Sequence, residues 1–310
     1  MEATSESSLP ESPRRLESLR ARSGLTHSQI QIWTGQTLHP ENALYNMAFA
    51  IVLDGELDPE VFREAWQRVV DESDALRTHV GGEAGMPVRK LHPPGSCGLK
   101  VLDLSELADP EGEFRTVARK RCAEALPLDG ELLESVLVRL ASGRWGWYLN
   151  QHHLITDAFS TVLLYRRVAT EYARMCGGGA SSAPPLVSYY TASDTLIADF
   201  NETARLDAIH HWQERIESRA VSFYGNPGTP GSTANRRHTL ELGTERSRAL
   251  RDLAGEPGFV SFTPDISLFA VFATLLTAWL HRLSGQRSIG FDAPARNRPT
   301  PGAKESLGLF

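Results

Sequence analysis

The sequence predicts a protein of the α+β class. Stretches 45–53 and 145–149 alternate larger apolar residues with smaller ones, the two-residue period of half-buried strands. Segments 58–70 and 159–175 carry apolar residues at helical spacing instead. The 310 residues are 41% hydrophobic and 23% charged, ordinary for a globular chain. That is enough for one large core or two modest ones.

Residues 1–24 are polar, with a weak helical tendency from Pro13 to Arg22, and are expected to form a mobile N-terminal segment. Thr26-His27-Ser28-Gln29 has capping-box spacing, so a helix opens there and carries Ile30, Trp33 and Gln36. Tyr45, Met47, Phe49, Ile51 and Leu53 form one face of a strand that turns at Asp54-Gly55. Asp58 caps the next helix and Pro59 starts it. Its inner face is Phe62, Ala65, Trp66, Val69 and Val70, and it runs into Asp74-Ala75-Leu76-Arg77-Thr78. Residues 86–101 read as loop around Pro93-Pro94-Gly95. A helix is expected at 113–125 and a strand at 132–140. Ser142-Gly143 joins that strand to the next as a hairpin.

The second hairpin strand delivers Asn150-Gln151-His152-His153-Leu154-Ile155-Thr156-Asp157-Ala158. The two histidines fall at a strand end, ahead of a helix running from Phe159 to Met175. Asp157 is placed to cap that helix and to meet its dipole. Imidazoles titrate near neutral pH, so a rigid strand-to-helix junction holding two of them suits proton transfer. His210-His211 provides a contrast: it lies in a polar helical stretch and reads as surface. His153 and Asp157 are four apart, a spacing that suits two metal ligands on one helix. Here a turn intervenes and no third ligand is evident, so a metal site is disfavoured.

Gly177 to Pro185 is the clearest linker in the chain. Beyond it, 188–217 reads as helical, 225–235 as loop, and 238–242 as a short strand. From Ile266 to Leu283 a helix is apolar nearly all round, which predicts burial. A strand is expected at 288–291. The net charge of −6 implies no basic face, so nucleic acid is not an expected partner. The longest apolar run, Ile266 to Leu280, is broken by Ser267, Thr274 and Thr277; no membrane span and no signal peptide are expected. Three widely spaced cysteines fit neither a disulfide framework nor a zinc site, which points to the reducing cytoplasm.

The run from His152 to Ala158 resembles the His-His-x-x-x-Asp-Gly motif of condensation domains, the amide-forming domains of nonribosomal peptide synthetases, with Ala158 in place of the glycine. Leu25-Thr26, Gln29, Trp33 and Gln36 resemble the family's first core motif, and packing or capping accounts for each of them. Leu76-Arg77-Thr78 resembles the second motif without its leading His-Glu. Phe200 and His211-Trp212-Gln213 loosely resemble the fourth. Ile289-Gly290, Arg296 and Gly308-Leu309-Phe310 resemble the fifth, with Asp292 where a proline is usual. The resemblance covers residues 25–310 in motif order and stops short of a whole domain of that family.

The resemblance implies a chloramphenicol-acetyltransferase-like α/β sandwich with two lobes. The first, 25–176, would be complete; 177–185 would link it to an incomplete second lobe, 186–310. It implies a donor acyl or peptidyl thioester and an acceptor aminoacyl group. Each would ride on the phosphopantetheine arm of a partner carrier protein, with no cofactor or metal held by the domain itself. The catalytic pair would be His153, as base or as positioning group for the amine, and His152, which supports the turn. Asp157 would pair with an arginine, Arg77 or Arg296, and with Ala158 would shape the active site. The chain would be monomeric or part of a multidomain synthetase. A native start at Met1 would bring the donor in trans. Two other readings stay open at this point: an ester-forming acyltransferase of the same superfamily, and a degenerate domain that only binds carriers, which Ala158 and the weak fourth motif favour.

Overall fold

The computed structural model describes residues 18–82, 86–178, 184–199, 202–215, 238–291, 293 and 295–310. The capping box predicted at Thr26 forms and opens α1 (His27–Leu38). The edge strand β1 (Asn46–Asp54) follows. Asp58 Oδ1 accepts the amides of Glu60 and Val61 and so starts α2 (Pro59–Glu72). A small hairpin, β2 (Thr78–Gly81) with β3 (Val88–Leu91), leads to β4 (Leu99–Asp103) and α3 (Pro110–Cys122). Then come β5 (Leu133–Ala141), β6 (Arg144–His152) and α4 (Ala158–Met175). The remaining helices are α5 (Tyr189–Asp199), α6 (Glu202–Arg215), α7 (Gly243–Ala254), α8 (Pro264–Ser284) and α9 (Pro301–Lys304).

Four strands form one sheet in the order β1-β6-β5-β4. β6 is central and antiparallel to both neighbours, whereas β4 joins β5 in parallel. Both faces are covered, so β6 is buried along almost its whole length and β5 along most of it, polar positions such as Ser135, Asn150 and Gln151 included. Leu133, Leu137, Trp147 and Leu149 pack with Phe62 and Trp66 of α2 and with Leu163 and Val168 of α4. Val136, Val138, Leu140 and Tyr148 on the opposite face pack with Phe114 and Ala118 of α3. Trp147 sits edge-on to Phe62, Trp66 and Tyr165, with ring centroids 5.0, 6.0 and 4.9 Å away.

The structure departs from the sequence expectation at several elements. Residues 18–23 are helical, with Leu19 packed on the core and Ser23 buried, so this end of the expected mobile segment is fixed. The expected loop 86–101 contains β3 and the start of β4, short strands recognisable only through partners distant in sequence. α3 begins three residues before the predicted 113, because Asp109 caps it by accepting the Gly112 amide and Pro110 opens it. Residues 238–242 and 288–291 are not strands: among the described residues neither finds a pairing partner, and 238–242 lie exposed. The expected loop 225–235 and most of the linker, 179–183, lie outside the described residues.

The chain divides into two compact units, Met1–Phe200 with Arg296–Phe310, and Asn201–Ala295. This differs from lobes separated at 177–185. α5 belongs to the first unit because Tyr189 and Tyr190 are buried there, and the final segment does because Leu307 enters its core. In the second unit α7 packs on α8. The expected burial of α8 is not observed: Phe269, Phe272, Leu275 and Trp279 are each half exposed, since its partners within the unit cover only part of an all-round apolar surface. By length and composition alone α8 could cross a membrane, where the sequence predicted no such run.

Gly146 is the third residue of β6, opposite Val52 and Val138. A Cβ there would stand 2.8 Å from the buried Phe114 ring. Gly146→Ala should therefore destabilise the first unit by about 1–3 kcal/mol in urea unfolding, and Phe114→Leu should recover part of the loss. An unchanged midpoint would contradict this packing.

Candidate active site

The end of β6 is held from both sides. His152 donates its amide to Leu132 O at 2.9 Å, and His153 donates its own to Tyr45 O at 2.7 Å. The chain then turns, with the Ile155 amide on His152 O, and enters α4 at Ala158. Leu154, Ile155 and Thr156 are fully buried. The loop is thus anchored by core residues just after His153, while His153 itself stays partly exposed.

The two histidines have opposite surroundings. His152 is wholly buried. Its Nδ1 accepts the Leu154 amide at 3.1 Å, and its Nε2 lies 3.2 Å from Gln36 Oε1. Gln36 is itself buried, and its amide nitrogen shares its two hydrogens among the carbonyls of His39, Pro40 and Asn42. Burial first, and then the neighbouring His153, lowers the His152 pKa from 6.5 to about 4. His152 therefore stays neutral at physiological pH. His153 places Nδ1 2.9 Å from Thr156 O. A carbonyl can only accept, so Nδ1 carries a proton, and in the neutral ring the lone pair is on Nε2.

Asp157 caps α4 by accepting the Ser160 amide at 2.7 Å. Its carboxylate also receives Arg298 Nη2 at 3.0 and 2.9 Å and the Phe310 amide at 3.3 Å. The Arg298 guanidinium lies over the rings of Phe159 and Phe310, 4.7 and 4.2 Å from their centroids. Arg298 further donates to the carbonyls of Ala303, Ser306 and Gly308 and to Ser160 Oγ. Burial draws its pKa down and the Asp157 carboxylate opposes that. Gly308 has φ +145°, and a Cβ there would strike the Tyr189 ring, so only glycine fits. Tyr189 Oη donates to Leu309 O, and Arg167 of α4 pairs with Glu305 at 2.8 Å. The final segment is therefore fastened to the dihistidine loop at several points.

The structure brings His152, His153 and Asp157 together as the sequence predicts, but replaces both predicted arginines. Arg77 donates to His92 O at 2.7 Å. Arg296 is exposed. The partner of Asp157 is Arg298, two residues further on; the Arg-Asn-Arg run offers two candidates, and no local pattern separates them. Ala158 is exposed, starts α4 and has no positive φ, so its side chain causes no strain where the motif usually has glycine. Gln29 and Gln36 do more than pack or cap: Gln29 Nε2 donates to Leu154 O at 3.0 Å, and Gln36 holds His152. The tyrosines that fasten this region are Tyr189 and Tyr190, upstream of the predicted fourth-motif match. Tyr190 Oη meets Thr78 Oγ1 at 2.7 Å. A cavity of about 710 Å³ is lined by Gln36, Thr37, Pro40, Glu41 and residues 123–129. Among the described residues no three His, Cys, Asp or Glu side chains gather as metal ligands would.

A family model described as condensation domain matches residues 22–310. A linear gramicidin synthase of Brevibacillus parabrevis is 26% identical over 294 residues, covering 92% of this chain and 4% of that protein. Phosphinothricin tripeptide synthetase of Streptomyces viridochromogenes is 28% identical over 296 residues, covering 92% of this chain and 26% of that protein. The first condensation domain of the calcium-dependent antibiotic synthetase, solved with a substrate analogue, superposes with a TM-score of 0.75 at 28% identity. The match covers 93% of this chain and 67% of that one. The chain thus spans a small part of the curated synthetases it matches. The mixed helix-and-sheet fold is the chloramphenicol-acetyltransferase-like fold expected from the sequence.

A histidine kept neutral in the fold protonates first in the unfolded chain. The contribution of His152 is complete above pH 6.5 and is lost as pH falls toward its folded value of about 4; the loss amounts to about 3 kcal/mol. Urea unfolding of wild type and His152→Gln across pH 4 to 6.5 should show a shallower pH slope in the variant. Parallel slopes would contradict the burial of a neutral His152.

Proposed function

The chain belongs to the condensation-domain family, and from that premise we propose that it forms amide bonds in nonribosomal peptide synthesis. The donor is an acyl or peptidyl thioester and the acceptor an aminoacyl group, each carried on the phosphopantetheine arm of a partner carrier domain. The acceptor nitrogen attacks the thioester carbonyl carbon. A C–N bond forms, the C–S bond breaks, the amine gives up a proton and the departing thiolate takes one.

The observation that carries this reading is the orientation of His153. Its Nδ1–H is committed to Thr156 O at 2.9 Å, which leaves the Nε2 lone pair on a partly exposed ring as a proton acceptor. The same nitrogen could instead fix the amine by a hydrogen bond while carrier docking supplies proximity. His152 and the Asp157–Arg298 pair hold the loop. Backbone amides at the start of α4 supply donors for a tetrahedral oxyanion. The strain-free Ala158 supports a working site over a degenerate one.

His153→Ala should reduce amide formation from carrier-bound substrates by about a hundredfold or more, with circular dichroism and melting temperature unchanged. Near wild-type turnover would remove His153 from the chemistry and leave orientation of the substrates as the whole mechanism. An ester product from a hydroxyl acceptor, with no amide from an amine, would move the chain to the ester-forming branch of the superfamily.

A further inference from the structure

Gln36 takes no part in the reaction described above, yet it is tied to it. The side chain is 3% exposed. Its amide nitrogen faces three backbone carbonyls, His39 O at 3.0 Å, Pro40 O at 3.1 Å and Asn42 O at 3.0 Å. Carbonyls only accept, so the amide cannot be flipped, and Oε1 must point to His152 Nε2. An amide oxygen also only accepts, so His152 must carry its proton on Nε2. The Leu154 amide imposes the same result from the other side of the ring, because it donates to Nδ1 at 3.1 Å. Two unrelated groups therefore select a single tautomer of His152.

The consequence reaches His153. A proton on His152 Nδ1 would confront the Leu154 N–H and break that contact, and Leu154 is the residue after His153. Leu154 is held a second time through its carbonyl by Gln29 at 3.0 Å. The backbone of His153 is thus fixed between a ring that Gln36 orients and a residue that both this ring and Gln29 grip.

We propose that Gln36 is a positioning residue for the reaction, locking His152 in its neutral Nε2–H form and through it setting the place of the His153 ring. This rests on the proposed amide-forming function. Glutamine suits the task because it supplies one acceptor for the imidazole and a nitrogen that three carbonyls can hold. Methionine is the fitting probe, since it keeps the length of the side chain and removes both polar groups; alanine would open the position into the neighbouring cavity.

Nitrogen–proton correlation spectra of the histidine rings, recorded on the full chain, read the tautomers without turnover. The wild type should show His152 protonated at Nε2 and bare at Nδ1. Gln36→Met removes the acceptor of the Nε2 proton, so it should shift the His152 Nε2–H signal and also the ring signals of His153. Amide formation on carrier-bound substrates should lose roughly tenfold to a hundredfold in kcat with KM within about twofold. His152→Ala should show a similar loss, and the double variant should be no worse than the worse single one. An Nδ1–H tautomer in wild-type His152 overturns the proposal, and that measurement needs no variant to fold. Unmoved His153 signals in Gln36→Met, or losses that multiply in the double variant, overturn it as well. If the wild type forms no amide, the proposed function fails, while the ring spectra still decide whether Gln36 sets the geometry of the two histidines.

Discussion

Asp157 and Arg298 meet 2.9 Å apart, with the arginine side chain almost wholly enclosed. A buried ion pair of this kind adds little net stability over an apolar contact of the same shape, because desolvation offsets most of the attraction. Its value lies in what it joins. One carboxylate caps α4, receives the arginine and accepts the amide of Phe310. One guanidinium reaches back to three carbonyls of the final segment. The dihistidine loop and residues distant in sequence become one polar unit, and the loss of either partner would leave a buried charge unmatched.

The rest of the site follows from the strand that feeds it. β6 is paired on both edges and packed on both faces, so His152 and His153 leave a rigid base. Two adjacent imidazoles of equal intrinsic basicity then take different roles through environment alone. Enclosure and two committed nitrogens make His152 a neutral structural element. Partial exposure and one committed nitrogen leave His153 with a lone pair to offer. In the proposed function this division assigns the chemistry to one ring and its support to the other.

Much of this was legible in the sequence, where it rested on local signals. Thr26 with Gln29, Asp58 with Pro59, and the alternating runs of β1 and β6 each contain their own cause, and each element formed close to its predicted position. The His152–Asp157 arrangement was legible for the same reason, being a strand end and a cap. Arg298 was not, because its choice over Arg296 is made by contacts with Asp157, Phe159 and Ser306, none near it in the chain except the last. Gln36 was hidden for a related reason: a buried glutamine on a helix looks like packing until the ring it faces is in place. β3 and β4 were missed because short strands depend on their partners. The segments at 238–242 and 288–291 had strand-like composition without a partner to pair with among the described residues.

Arg298 and Asp157 act as a pair in holding the loop. The most direct test is a double-mutant cycle of Asp157→Asn and Arg298→Met, read by denaturant unfolding of the full chain. A coupling free energy of about 2 kcal/mol or more is expected, with Arg77→Met and Arg296→Met each additive with Asp157→Asn. Additivity of Asp157 with Arg298 to within about 0.5 kcal/mol, or a coupling to Arg77 or Arg296 in its place, would contradict it.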